Sequence, residues 1–197
     1  MSERYILVGS GGHSRVIHEL ACKCNIDVSI ISVRDDSVEI PDYYTKLQVL
    51  TDHQVFTEFS PDNTNILLGI GHMPNDNKRK ETYLKYKEKG YKFPVMVHPS
   101  AIVPKDVILN EGCQIMSGVI LQSGVTIGEN TIINTRSSID HDVKVGAYSH
   151  IAPGVTICGN TTISNDVFIG AGVTIINSIN IKNNTIINAG TTVTKNI

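Results

Sequence analysis

Residues 121–157 read LQSGVTIGENTIINTRSSIDHDVKVGAYSHIAPGVTI, and within them Leu121, Ile127, Ile133, Ile139, Val145, Ile151 and Ile157 fall six apart. Followed outward, the series runs unbroken from Val97 to Val193, seventeen aliphatic residues in a chain where Ile, Val and Leu together make up under a third. Four positions after each stands a small or β-branched residue, among them Cys113, Val119, Thr131, Ser137, Ser149 and Thr161. No helical face sustains a strict period of six, because an α-helix repeats at about 3.6 residues and a coiled coil at about 3.5. One short strand and a turn do use six residues, and three such units close a triangular coil. Coils stack at the strand spacing of about 4.8 Å, which predicts a rod about 27 Å long. The repeated aliphatics stack inside it, and the residue four places on fits an inward corner. Gly112, Gly118, Gly124, Asn130, Gly154, Gly172, Asn184 and Gly190 fall at the adjoining turns, where left-handed backbone is cheap for these residue types. Residues 97–197 are therefore read as a left-handed parallel β-helix of hexapeptide repeats, uninterrupted by any loop.

The repeat leaves residues 1–96 for a separate N-terminal domain. Arg4-Tyr5-Ile6-Leu7-Val8 reads as a buried strand, and Val16, Ile17, Leu20 and Ala21 space an amphipathic helix over Arg15 to Cys24. Further strands are expected at Val28 to Val33 and Thr64 to Ile70, then a helix from about Asn77 to Lys89 closed by Gly90. This alternation predicts a small Rossmann-like α/β domain with a parallel sheet, its ligands at the carboxyl ends of the strands. Gly9 and Gly11 lie on the first strand-to-helix turn as in a dinucleotide fingerprint, although the sixth position is Ser14 and not Gly or Ala. The turn and the helix N-terminus suit a pyrophosphate. Asp35 and Asp36, closing the second strand, stand where a carboxylate could accept hydrogen bonds from a ribose or base; the alternative is a solvated loop. Lys78-Arg79-Lys80, Lys85, Lys87 and Lys89 read mostly as the wet face of a helix.

A net charge of −2 offers no electrostatic case for nucleic-acid binding. No apolar run is long enough to span a membrane and no signal-peptide core opens the chain, so a cytoplasmic protein is expected. Cys22, Cys24, Cys113 and Cys158 lack zinc spacing, and Cys113 falls on an inward corner as a small core residue. No metal site is indicated.

Most outward residues of the rod are neutral. The exception is Asp140-His141-Asp142, followed nine residues later by His150. Nine residues is half a coil, so the two histidines project from different faces and would meet only across a subunit boundary. Histidine suits a general base at neutral pH, and a neighbouring carboxylate raises its basicity and fixes its tautomer. The alternative is a surface histidine in a charged turn.

Three further segments join these: Gly9-Ser10-Gly11-Gly12-His13, Asp35-Asp36 and His98-Pro99-Ser100-Ala101. Together with Ile133 to Asp142 and Gly146 to Gly154, they resemble, in order and across both domains, the PglD/NeuD-like sugar acyltransferases. The resemblance implies acetyl transfer from acetyl-CoA to the C4 amine of a UDP-linked 4-amino-4,6-dideoxy sugar, for bacterial surface glycan synthesis. It also implies a homotrimer with active sites at subunit interfaces. By that resemblance His141 is the general base, and Asp142 supports it where relatives carry Glu. Asn134 would contact the substrate near the reacting amine, while Gly9, Gly11, His13, Asp35, Asp36 and Gly71 would hold the nucleotide sugar. His150, Ala152, Gly159 and Gly170 would face acetyl-CoA, with a backbone N–H near Gly159 or Ala152 on the thioester carbonyl. Two segments depart from the pattern. His72-Met73-Pro74 replaces residues of a family turn, and the final Thr194-Lys195-Asn196-Ile197 carries no Gly-x-Pro-Ala segment. The rival readings are a sugar or sialic acid O-acetyltransferase of the same fold and a non-catalytic nucleotide-sugar-binding scaffold.

Overall fold

A computed structural model describes residues 3–197. They form two compact units that divide between Pro94 and Val95, two residues before the boundary expected from the repeat.

The first unit runs β1 (Arg4–Val8), α1 (Gly12–Lys23), β2 (Ile30–Val33), a 3-10 turn (Asp42–Tyr44), β3 (Gln48–Thr51), α2 (Asp52–Glu58), β4 (Thr64–Leu68) and α3 (Lys78–Glu88). The sheet is parallel throughout, in the order β3-β2-β1-β4. Strand order reverses at β1, so the carboxyl ends of β1 and β4 open a crevice. Ile6, Leu7, Ile31, Ile66 and Leu67 are buried, as strands covered on both faces require. The pair β3 and α2 was not legible as a strand and helix, because Gln48 and Val49 are exposed and break the apolar run. A local signal does exist at their junction. Thr51 and Gln54 form a capping box, Thr51 Oγ1 accepting from Gln54 N at 3.3 Å and Gln54 Oε1 from Thr51 N at 2.7 Å. Arg79 also departs from expectation. It is buried instead of wet, and its Nη1 donates to the carbonyls of Ile70 at 2.6 Å and Leu68 at 3.3 Å. Carbonyls at a buried strand end need donors, and α3 supplies this one.

The second unit is the expected left-handed parallel β-helix, built of sixteen two-residue strands from β5 (Met96–Val97) to β20 (Thr192–Val193). They form three parallel sheets of six, five and five strands. Partners are one coil apart: Ile133 pairs with Ile151, Ile139 with Ile157 and Val145 with Ile163. The hexapeptide at Val103 contributes only an isolated bridge, from Ile102 to Ile120. From Ile115 to Val193 every residue of the ladder is buried.

The inward corners hold more than small size. Thr131, Ser137, Ser149 and Thr161 are fully buried, and each hydroxyl donates to a carbonyl of the next coil: Gly146, Ala152, Ser164 and Ile176. The hydroxyls of Thr131, Ser149 and Thr161 also accept from backbone N–H groups one coil on, at Ser149, Val167 and Ile179. Buried hydroxyls carry a desolvation cost unless bonded, so the corner residues tie successive coils together while meeting that need.

Candidate active site

The turn Asp140-His141-Asp142-Val143 joins β11 (Ser138–Ile139) to β12 (Lys144–Val145) at one corner of the prism. Asp142 sits in left-handed backbone at φ 59, which a short polar side chain tolerates. The turn is bound to the coils on either side, Asp142 N donating to Ser123 O at 3.0 Å and Asn160 N to His141 O at 2.9 Å. Asp140 Oδ1 accepts from His141 N at 2.8 Å. His141 Nδ1 lies 2.9 Å from Asp142 Oδ2. An imidazole that donates Nδ1–H to this carboxylate keeps its lone pair on Nε2. Both side chains are well exposed, at 60% and 66%.

The hydrogen bond from Asp142 raises the His141 pKa above the ordinary imidazole value, and the Asp140 charge adds to it. If His141 acts as a general base, the raised pKa keeps it protonated to higher pH, and kcat/KM should climb along an acid limb lying above the usual value of about 6.5. Asp142→Asn removes the largest cause and should shift that limb to lower pH. A pH profile with an unmoved limb would detach Asp142 from the base.

A second group of expected residues gathers at a different corner. Asn134 follows β10 (Ile132–Ile133), and its Nδ2 lies 3.2 Å from Nε2 of His150 on β13 (His150–Ile151). His150 is 9% exposed, with the Phe168 ring edge-on at 5.2 Å between centroids. Ala152 and Gly170 occupy the same turn position as Asn134 on the next two coils, as the pairing of Ile133, Ile151 and Ile169 requires. Within one protomer, then, Asn134 sits with His150 and not with His141.

The backbone donors are also decided. Ala152 N–H is committed to Ile169 O at 2.9 Å, because it continues the ladder directly after β13. It is unavailable to a thioester carbonyl, which corrects that expectation. Gly170 N–H is likewise bonded to Ile187 O at 2.8 Å, and a Cβ there would come 2.4 Å from Ala189 N. Gly170 is therefore small because the next coil's backbone passes close. Among the described residues no acceptor takes the Gly159 N–H, which lies one coil beyond His141.

The first unit carries a cleft of about 570 Å³ at the carboxyl ends of its strands, lined by Gly9, Ser10, Arg34, Ile70, Lys78 and Lys85 among others. Gly9 is at φ +100, a turn that excludes a side chain, and Gly11 caps α1. Open space faces Gly11 where a Cβ would stand, so a ligand can approach that backbone. Ser14 is fully buried with its hydroxyl on the Gly9 carbonyl, and a Cβ on Gly69 would come 2.8 Å from it. The glycine that permits close helix–strand packing thus stands after β4, not at the sixth fingerprint position. His13 lies beside Gly71, whose Cβ would come 3.4 Å from its own.

The Asp35 carboxylate is engaged locally by Ser37 Oγ and N and by Arg34 Nε at 2.7 Å, which together hold its pKa down at about 2. Asp36 is exposed, and Arg34, not either aspartate, lines the cleft. A group missed in the sequence stands at the cleft. Asp52 is 5% exposed and accepts from Ser32 Oγ at 2.9 Å, Tyr86 OH at 2.7 Å and Lys85 Nζ at 2.8 Å. Its only herald was the capping box of a helix that the apolar pattern did not reveal.

Comparison with known proteins joins the two units. The pattern of the PglD N-terminal domain matches residues 4–86, and that of the bacterial transferase hexapeptide (six repeats) matches residues 124–159. The structure is similar to that of PerB from Caulobacter crescentus, solved in complex with CoA and GDP-perosamine. Identity is 27%, the TM-score is 0.86, and the match covers 98% of this chain and 90% of that one. The first unit is a PglD N-terminal domain, and the rod carries the bacterial transferase hexapeptide. Another similar structure is the acetyltransferase domain of PglB from Neisseria gonorrhoeae FA1090, at 26% identity and TM-score 0.86, covering 100% of this chain and 93% of that one. The bifunctional protein GlmU of Latilactobacillus sakei is 31% identical over 120 residues, or 56% of this chain. The chain spans only 26% of that curated relative's length.

Proposed function

We propose that this protein transfers an acetyl group from acetyl-CoA to the C4 amine of a nucleoside-diphosphate-linked 4-amino-4,6-dideoxy sugar, in the cytoplasm, for surface glycan synthesis. The observation that carries the reading is the exposed His141–Asp142 pair at 2.9 Å. His141 Nε2 takes a proton from the amine as its nitrogen attacks the thioester carbonyl. Gly159 N–H meets the developing oxyanion, and the CoA thiolate leaves; no enzyme-bound intermediate forms. The cleft of the first unit, with Gly9, Gly11, His13, Arg34 and Gly71 around its turns, receives the diphosphate and nucleoside.

A homotrimer completes the site. It sets the Asn134, His150, Ala152 and Gly170 corner of one protomer against the His141 corner of the next, with acetyl-CoA in the groove between. Uridine is the nucleoside expected from the resemblance. Similarity to a protein solved with GDP-perosamine makes guanosine its direct rival.

Release of CoA thiol, followed with UDP-, GDP-, dTDP- and CMP-linked amino sugars and their hydroxy-sugar counterparts, tests the reading. Turnover with an amino sugar supports it. Turnover confined to hydroxy sugars replaces it with O-acetylation, and failure to bind acetyl-CoA in calorimetry leaves a scaffold.

A further inference from the structure

General-base catalysis needs the imidazole of His141 in one place, yet its side chain is 60% exposed. What lies against it is Gly159, at the equivalent turn position one coil on. A Cβ built on Gly159 would come 2.6 Å from Cε1 and from Nε2 of His141 and 3.0 Å from Cδ2. The backbone does not ask for glycine here. Gly159 is absent from the positive-φ glycines, whereas Gly154, Gly172 and Gly190 at other turns all lie between φ 67 and 70. The partner carboxylate is seated in the same way on the preceding coil, where a Cβ on Gly124 would come 2.5 Å from Asp142 Oδ1. Imidazole and carboxylate therefore lie between two glycines, one coil on either side.

We infer that Gly159 is the positioning residue for His141, its missing side chain forming the seat that holds the imidazole in line with Asp142. The consequence for rate rests on the acetyl-transfer reading above; the seat itself does not. A methyl group at Gly159 displaces the ring by roughly an ångström, and misplacement on that scale costs as much as ~10²-fold in rate. Because the ring is exposed, it can swing aside without unpacking the coil.

Gly159→Ala tests this and spares the backbone N–H, so the oxyanion donor is kept. The expected result is a kcat lower by about 10- to 100-fold, with KM for acetyl-CoA within roughly twofold of wild type and an unchanged Tm. NMR titration should show the His141 pKa moving down toward the ordinary imidazole value as the ring leaves Asp142. In a His141→Ala background the same substitution should cost nothing further in kcat. A wild-type kcat and His141 titration in Gly159→Ala would overturn the inference. So would a raised KM for acetyl-CoA with kcat intact, which would make the glycine a passage for the coenzyme. The NMR readout needs no turnover. A wild-type protein that transfers no acetyl group, beside a Gly159→Ala variant whose His141 titration still shifts, would sink the functional reading and leave the seat standing.

Discussion

His141→Ala lowers turnover by ~10²–10⁴-fold, the range for loss of a general base, while the rod stays folded. The expectation of intact folding comes from the turn. His141 is exposed, and the bonds that fasten its segment to neighbouring coils run through backbone atoms, with Asn160 N on His141 O and Asp142 N on Ser123 O. Truncation at Cβ leaves these in place and opens no cavity in the stacked ladder. Steady-state kinetics with acetyl-CoA and the best acceptor of the screen, beside a thermal melt, makes the measurement. A variant that kept near wild-type kcat would remove His141 from the chemistry, and with it the reading built on Asp142 and Gly159.

Mixing two crippled variants should restore activity. His141→Ala and His150→Ala lie at different corners of the prism, so a site that straddles two protomers draws one histidine from each. In a cyclic trimer assembled at random from equal amounts of the two variants, about a quarter of the interfaces join an intact His141 to an intact His150. Recovery to about a quarter of the wild-type rate is therefore expected after co-refolding, starting from two preparations that are each nearly silent. A site contained within one protomer gives no recovery in any mixture. Each unmixed variant is the control, and the recovery above them is largest when His150→Ala is itself nearly silent.

The His141–Asp142 corner was legible because its residues are close in sequence. Asp140, His141 and Asp142 occupy consecutive positions in a turn whose phase the ladder sets, so their exposure and proximity follow from counting sixes. Asn134 and His150 show the limit of that counting. They are sixteen positions apart, and one coil of parallel pairing brings Asn134 Nδ2 to 3.2 Å from His150 Nε2. Half-coil arithmetic placed His150 away from His141, and the same geometry moved Asn134 to the His150 corner. In the first unit the cleft contains Lys85 bound to Asp52, a pairing across 33 residues that no local pattern announces. Arg79 was misplaced for a related reason: a charged side chain in a basic helix reads as wet until a strand end with carbonyls to satisfy is packed beside it.

What the sequence determined by itself is whatever repeats or is local. A period of six admits one backbone solution, so it dictated the coil, the inward ladder and the left-handed turns, and it carried the His141–Asp142 pair to an outer corner. Tertiary structure decided everything that depends on what one coil presents to the next. Ala152 and Gly159 are both small residues beside turns, equal candidates as written. Only the stacking spends the N–H of Ala152 on Ile169 and leaves that of Gly159 unbonded among the described residues, beneath the imidazole. A hydrogen bond and a close contact are properties of two segments at once, and a one-dimensional pattern holds only one of them.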